Sequence, residues 1–201
     1  MNTIPLLLIA LIAAGLNTQS HITELMVVTD ESRIIWTGTK IMGYHQGTVQ
    51  IREGKLLMNN QRLAGGSFII DLSTINCTDI PASDPIPKRN LENHLKDPDF
   101  FDTKRFPTAS FTFTEISPDA ENQAKYQAYG NLTIKGITRK IKIEVEVASQ
   151  SDKIFIGQTD MRFNRQLWGV AYSGLKDELV HDEIKLKVFV KAEGSGQQIN
   201  L

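Results

Sequence analysis

The residues able to do acid–base, nucleophilic or metal chemistry in this chain are few and scattered. The four histidines, His21, His45, His94 and His181, show no His-x-x-x-His or other compact metal-ligand spacing. A zinc site can come only from folding and is not expected. Cys77 is the single cysteine, which excludes an intrachain disulfide framework and a Cys-based zinc finger. It reads as a small, buried or partly buried hydrophobe. Asp97, Asp99 and Asp102 cluster, but no Gly-containing twelve-residue calcium loop surrounds them, so caps and turns are their expected role. No Gly-x-Ser-x-Gly elbow or phosphate loop is present, and Gly65-Gly66-Ser67 lies within a strand pattern. No catalytic residue, metal or cofactor is therefore expected. His45, in Gly43-Tyr44-His45-Gln46-Gly47, and His94, on a short helix, either hydrogen-bond a polar head group or tie a loop and a helix to the scaffold.

The elements that must position these residues are strands. In Lys140 to Val147, Ile141, Ile143, Val145 and Val147 face one way, while Lys140, Lys142, Glu144 and Glu146 face the other. Ile184, Leu186, Val188 and Val190 repeat the pattern. Looser alternation joins Ile34, Trp36 and Gly38; Val49 and Ile51; Phe68, Ile70 and Leu72; Ala109, Phe111 and Phe113; and Tyr126, Ala128, Gly130, Leu132 and Ile134. Ile154 and Ile156 begin another strand running toward Arg162. Short turns separate these eight or nine runs. Parallel pairing needs crossovers of about a dozen residues, and room exists for only one insertion, between Leu72 and Pro107. There, Pro87 to Lys96 suits a short helix with Leu91, His94 and Leu95 at helical spacing. The fold class is all-β and mainly antiparallel, a sandwich or a closed barrel. A barrel of about eight strands is filled by side chains or holds one small ligand, and periodicity does not choose between these.

Composition narrows the partners. The chain has 201 residues, one domain's worth, with 22 Lys plus Arg against 23 Asp plus Glu. A net charge of −1 lacks the cation surplus that duplex binding requires. The first twenty residues carry no charged side chain, and Ile4 to Leu16 is nearly all apolar. That run is shorter than the roughly 20 residues of a membrane span and fits the core of a secretory signal, with Ala13, Gly15, Thr18 and Ser20 at plausible cleavage positions. The expected organisation is a signal peptide at 1–20, a lead-in at 21–31, one barrel domain at 32–193 and a frayed tail at 194–201. The expected location is periplasmic or secreted.

The region from about Ser32 to Glu193 resembles the YceI-like, polyisoprenoid-binding family. The resemblance rests on segments in order: Ile35-Trp36-Thr37-Gly38-Thr39-Lys40, Gly43-Tyr44-His45-Gln46-Gly47-Thr48-Val49, Leu63-Ala64-Gly65-Gly66-Ser67-Phe68-Ile69-Ile70-Asp71-Leu72, His94-Leu95-Lys96-Asp97-Pro98-Asp99-Phe100-Phe101-Asp102, Arg105-Phe106-Pro107-Thr108-Ala109-Ser110-Phe111, Gly130-Asn131-Leu132-Thr133-Ile134-Lys135-Gly136-Ile137-Thr138 and Asp182-Glu183-Ile184-Lys185-Leu186. Where the family usually has Asp-Arg, this chain reads Asn164-Arg165. The resemblance implies a single lipocalin-like antiparallel barrel with one short helical insertion, and a binding protein rather than a catalyst. The partner it implies is a polyisoprenoid or similar long-chain apolar ligand, with transient membrane contact and an open oligomeric state that includes a dimer.

The candidate ligand-binding residues are Trp36, His45, Phe68, Ile70, His94, Phe100, Phe111, Phe113, Leu132, Ile141 and Ile143. Most sit on inward apolar faces, and a prenyl chain gains affinity from apolar area removed from water. One of the Phe100-Phe101 rings is expected to seal the barrel mouth. Gly38, Gly65, Gly66 and Gly130 either relieve strand coiling or leave room for a ligand. The alternatives are a hydrolase or isomerase acting on a lipid, with His45 or His94 as base, and an interaction module with a filled core.

Overall fold

Strands with one apolar face need a common interior, and the chain supplies it by rolling one sheet into a tube. The computed structural model describes residues 21–171 and 180–194. Nine strands form: β1 (Ile22–Val27), β2 (Arg33–Lys40), β3 (Gly43–Asn59), β4 (Arg62–Cys77), β5 (Thr108–Pro118), β6 (Lys125–Ile134), β7 (Ile137–Gln150), β8 (Ile154–Asn164) and β9 (Val180–Gly194). Helix α1 (Pro85–Lys96) lies between β4 and β5, and a 3-10 turn at Arg165–Trp168 follows β8. The predicted signal segment 1–20, residues 172–179 and residues 195–201 of the predicted tail lie outside the described residues.

Every pairing is antiparallel, as the single long insertion requires. The strands run β2-β3-β4-β5-β6-β7-β8-β9, and β9 closes back onto β2. That is the expected eight-position barrel. The ninth strand, β1, was not read from the lead-in. It pairs with the far half of β3 (Leu25↔Leu56) and the end of β9 (Val27↔Ala192), while β2 pairs with the near half of β3 (Ile34↔Val49) and earlier β9 residues (Trp36↔Leu186). β1 and β2 thus lie end to end in one position between β3 and β9. Gly194, expected to open the tail, ends β9 opposite Leu25.

Closure requires bending, and register shifts supply it at Thr48/Gln50, Ile51/Glu53 and Leu57/Met58 between β3 and β4. Gly66 sits beside the last of these at φ +151°, in a region side chains rarely adopt. Gly130 has another reason. A Cβ there would meet the Phe111 ring and the Thr112 carbonyl, so the space is taken by a neighbouring side chain.

The barrel has two distinct ends. The β2–β3 turn, α1, residues 97–107, the β6–β7 turn and the 3-10 turn gather at one, called the mouth. At the other, the Gln61 N–H donates to Asp152, the Leu63 N–H to the Gln150 side chain and the Gly194 N–H to the Lys153 carbonyl. Helix α1 starts two residues before the predicted Pro87, because proline is tolerated in a first turn. It buries Leu95 and half-buries Leu91. Behind the 3-10 turn, Trp168 is 1% exposed, donates its indole N–H to the Leu132 carbonyl at 3.0 Å and meets Phe163 edge-on.

Candidate functional site

The interior is hollow. A cavity of about 170 Å³ lies along the axis. This volume is about ten times what one water needs. Its wall takes Trp36 from β2, Phe68 and Ile70 from β4, Phe111 and Phe113 from β5, Leu132 from β6 and Ile143 and Val145 from β7. Register explains the grouping: Phe68 stands opposite Phe111, Phe111 opposite Leu132, and Ile70 opposite Ala109. Phe111 and Phe113 meet edge-on with centroids 5.0 Å apart, and Phe68 approaches Phe113 at 6.4 Å.

The polar groups on this wall are already engaged. The Trp36 indole N–H donates to the Thr48 carbonyl, the Gln158 amide N–H to Glu146 and the Thr159 hydroxyl to the Glu144 carbonyl. All other lining side chains are apolar. Such a surface binds by area and shape and offers a ligand no directional anchor.

Trp36, Leu95, Phe101 and Ile184 border both this cavity and a smaller outer pocket of about 70 Å³ at the mouth. They form the partition between the two. The outer pocket adds Lys40, His45, Phe100 and Arg165. Arg165 is 2% exposed, and its guanidinium donates to the Val170 carbonyl at 2.7 Å and to Asp182 at 3.2 Å. Burial lowers its proton affinity and Asp182 opposes that. Asp182 thus pairs with the arginine, while Asn164, at the family's aspartate position, accepts the Gln166 N–H and caps the 3-10 turn.

Of the candidates, Trp36, Phe68, Ile70, Phe111, Phe113, Leu132 and Ile143 line the main cavity. His45 and Phe100 line the outer pocket. Ile141 and His94 line neither. Ile141 is partly buried against the core, nearer the mouth than Ile143. His94 meets Phe100 edge-on at 5.1 Å, with Nε2 4.0 Å from the Asp99 carboxylate, so it joins helix to loop. The ring reaching the cavity is Phe101, which the candidate set lacked, together with Leu95 from α1. The set also took nothing from β8 or β9, which contribute Phe155, Met161, Phe163, Leu186 and Val188. Neither Ile154 nor Ile156, which open β8, lines the cavity. Ile156 is 39% exposed, while Phe155 and Phe163 are buried on the opposite face, where Gly157 leaves space that the Phe155 ring takes.

His45 sits in a polar cluster. Its Nδ1 lies 2.8 Å from Asp79 Oδ2, and Asp79 Oδ1 accepts the Gln46 N–H at 2.9 Å and the Cys77 thiol at 3.0 Å. Burial raises the Asp79 carboxyl, but hydrogen bonds from Cys77, Gln46 and His45 outweigh it and hold the group below the usual carboxylate range. Burial, then the hydrogen bond to Asp79, pushes the Cys77 thiol up.

Known proteins share this architecture. The family model described as a YceI-like domain matches residues 25–192. Among curated relatives, Protein YceI of Escherichia coli is 28% identical over 58% of this chain and 49% of its own length. A UPF0312 protein of Pectobacterium carotovorum is 34% identical over 30% of each chain. The matches thus span about half or less of these relatives' length. Among solved structures, Burkholderia cenocepacia BcnA superposes with a TM-score of 0.65 at 22% identity, covering 83% of this chain and 99% of its own. A polyisoprenoid binding domain from Saccharophagus degradans gives 0.61 at 11% identity, over 86% and 99%. At these identities the superpositions show the fold alone. Because the family match runs from Leu25 in β1 to Ala192 in β9, through every strand that walls the cavity, this chain belongs to the YceI-like domain family.

Proposed function

We propose that the protein is a non-catalytic lipid carrier that holds a prenyl-type chain, of an isoprenoid or a quinone, inside the barrel. The observation that carries this is the axial cavity, lined by apolar side chains from β2 through β9 and with its few polar groups already bonded to the protein. A hydrocarbon chain has no hydrogen-bonding group along its length, so such a wall loses nothing in covering it. The Saccharophagus degradans neighbour described as a polyisoprenoid binding domain supports the same ligand class. Exchange takes place at the mouth, where α1 and Phe101 separate the cavity from the outer pocket.

The apolar leader predicted from residues 1–20 supports export to the periplasm or beyond. Transient membrane contact is supported by three exposed apolar side chains at the mouth, Ile41, Met42 and Ile86, beside Lys40, Lys88 and Arg89. Native mass spectrometry and solvent extraction of the purified protein test the ligand. A co-purifying isoprenoid, or stoichiometric uptake of a long-chain quinone, is the expected result. Protein that carries no apolar molecule and takes up none refutes the reading.

A further inference from the structure

Sequence spacing keeps His45 apart from Cys77 and Asp79, and the sheet brings them together. Gly47 pairs with Cys77 across β3 and β4. Two residues back along β3 is His45, and two residues beyond Cys77 is Asp79. In an antiparallel register such steps land opposite each other and on one face. The His45 nitrogen, the Cys77 sulfur and an Asp79 oxygen all lie within 4.8 Å of one another. Four-coordinate zinc with bonds of about 2.0–2.3 Å sets its ligand atoms roughly 3.3–3.6 Å apart. The cluster needs shifts of about an ångström to reach that geometry.

We propose that His45, Cys77 and Asp79 form a binding site for a single zinc ion, with water in the fourth position. Thiolate and imidazole are the donors a borderline-soft cation selects, and the aspartate adds an oxygen. Binding moves the Cys77 thiol proton to solvent, and the hydrogen that His45 Nδ1 shows to Asp79 gives way to one on Nε2, so that neutral imidazole ligates through Nδ1. Thiolate and carboxylate together balance the dication. The surroundings suit the role. The Gln46 N–H fixes the Asp79 carboxylate, an outer partner of the kind that orients metal ligands. Lys88 donates to the Cys77 carbonyl and lies 3.6 Å from Glu92, so its charge is partly answered. Glu92 also accepts the Cys77 N–H. Zinc here ties the start of β3 to the end of β4 and the first residues of the segment that leads to α1.

The test uses the metal-free full chain, titrated with Zn²⁺ against a chromophoric chelator and separately with Co²⁺. One equivalent of zinc at micromolar or tighter affinity is expected, with a thiolate-to-cobalt charge-transfer absorption. Asp79→Asn and His45→Gln each weaken zinc by at least tenfold, and Cys77→Ser abolishes the absorption. Circular dichroism of each metal-free variant checks the fold; the first two change partly exposed side chains and keep the test valid if Cys77→Ser unfolds. No saturable zinc binding below 100 µM overturns the proposal. So does cobalt bound without thiolate absorption, or zinc affinity unchanged in Asp79→Asn and His45→Gln. Quinone uptake by the metal-free protein, measured in parallel, reports on the lipid reading independently.

Discussion

Replacing Ala109 by phenylalanine tests hollowness by the sign of its effect. Ala109 is 6% exposed, stands opposite Ile70 and lines the axial cavity on β5. Burying a phenylalanine side chain is worth about 1.5–3 kcal/mol. Ordering it costs on the order of 0.5–1 kcal/mol in rotamer freedom. In the open interior of about 170 Å³ the new ring finds room. The net effect is then a gain of about 1–2 kcal/mol. In a filled interior the same ring costs about 1–3 kcal/mol through strain. For a chain of this size the gain corresponds to a rise in Tm of roughly 2–8 °C. Urea unfolding measures it as a higher midpoint at unchanged slope. The same ring occupies the space of the ligand, so quinone uptake falls at least tenfold. A lower midpoint, or full uptake by Ala109→Phe, refutes the reasoning.

Three further outcomes follow from the geometry. Trp168→Phe removes the buried indole hydrogen bond to the Leu132 carbonyl and part of the buried ring, and lowers stability by about 1–3 kcal/mol in urea unfolding. Gly130→Ala drives a methyl into the Phe111 ring and destabilises the barrel; in the Phe111→Ala background the cost shrinks, and a double-mutant cycle reads a coupling of at least about 0.5 kcal/mol. Arg165→Met removes the donor to the Val170 carbonyl and the partner of Asp182, and thermal unfolding shows a loss of about 1–3 kcal/mol that Arg165→Lys recovers only in part.

Strands with clean alternation were legible, as in β7, where Ile143 and Val145 are buried between exposed Lys142 and Glu144. β1 was hidden because its inward residues are Thr23, Leu25 and Val27, while apolar Ile22 and Met26 lie on its outer face. β8 yielded no inward residues for a related reason. Isoleucine outweighs glycine in any hydrophobic pattern, but Gly157 is the inward residue and Ile156 the outward one. Barrel closure could not be read from period-two alternation, which serves a sandwich equally well, and came from the motif order. The candidate wall residues on β2 and β4–β6 were found because large side chains on one face of a strand must share a destination. Phe101 was confused with Phe100 because a loop has no period to say which ring turns inward. The cluster of His45, Cys77 and Asp79 was invisible at 32 residues' separation until register made neighbours of them.

The shared position of β1 and β2 also governs how this chain must fold. The N-terminal strands can complete their ladder only with β9, some 150 residues away in sequence, so closure waits for nearly the entire polypeptide. Contacts of such high order slow folding. Until β9 docks, β8 on one flank and β1 with β2 on the other present unpaired edges, inviting intermolecular strand exchange. A truncation that stops short of Val180 is therefore expected to aggregate rather than to form a smaller barrel.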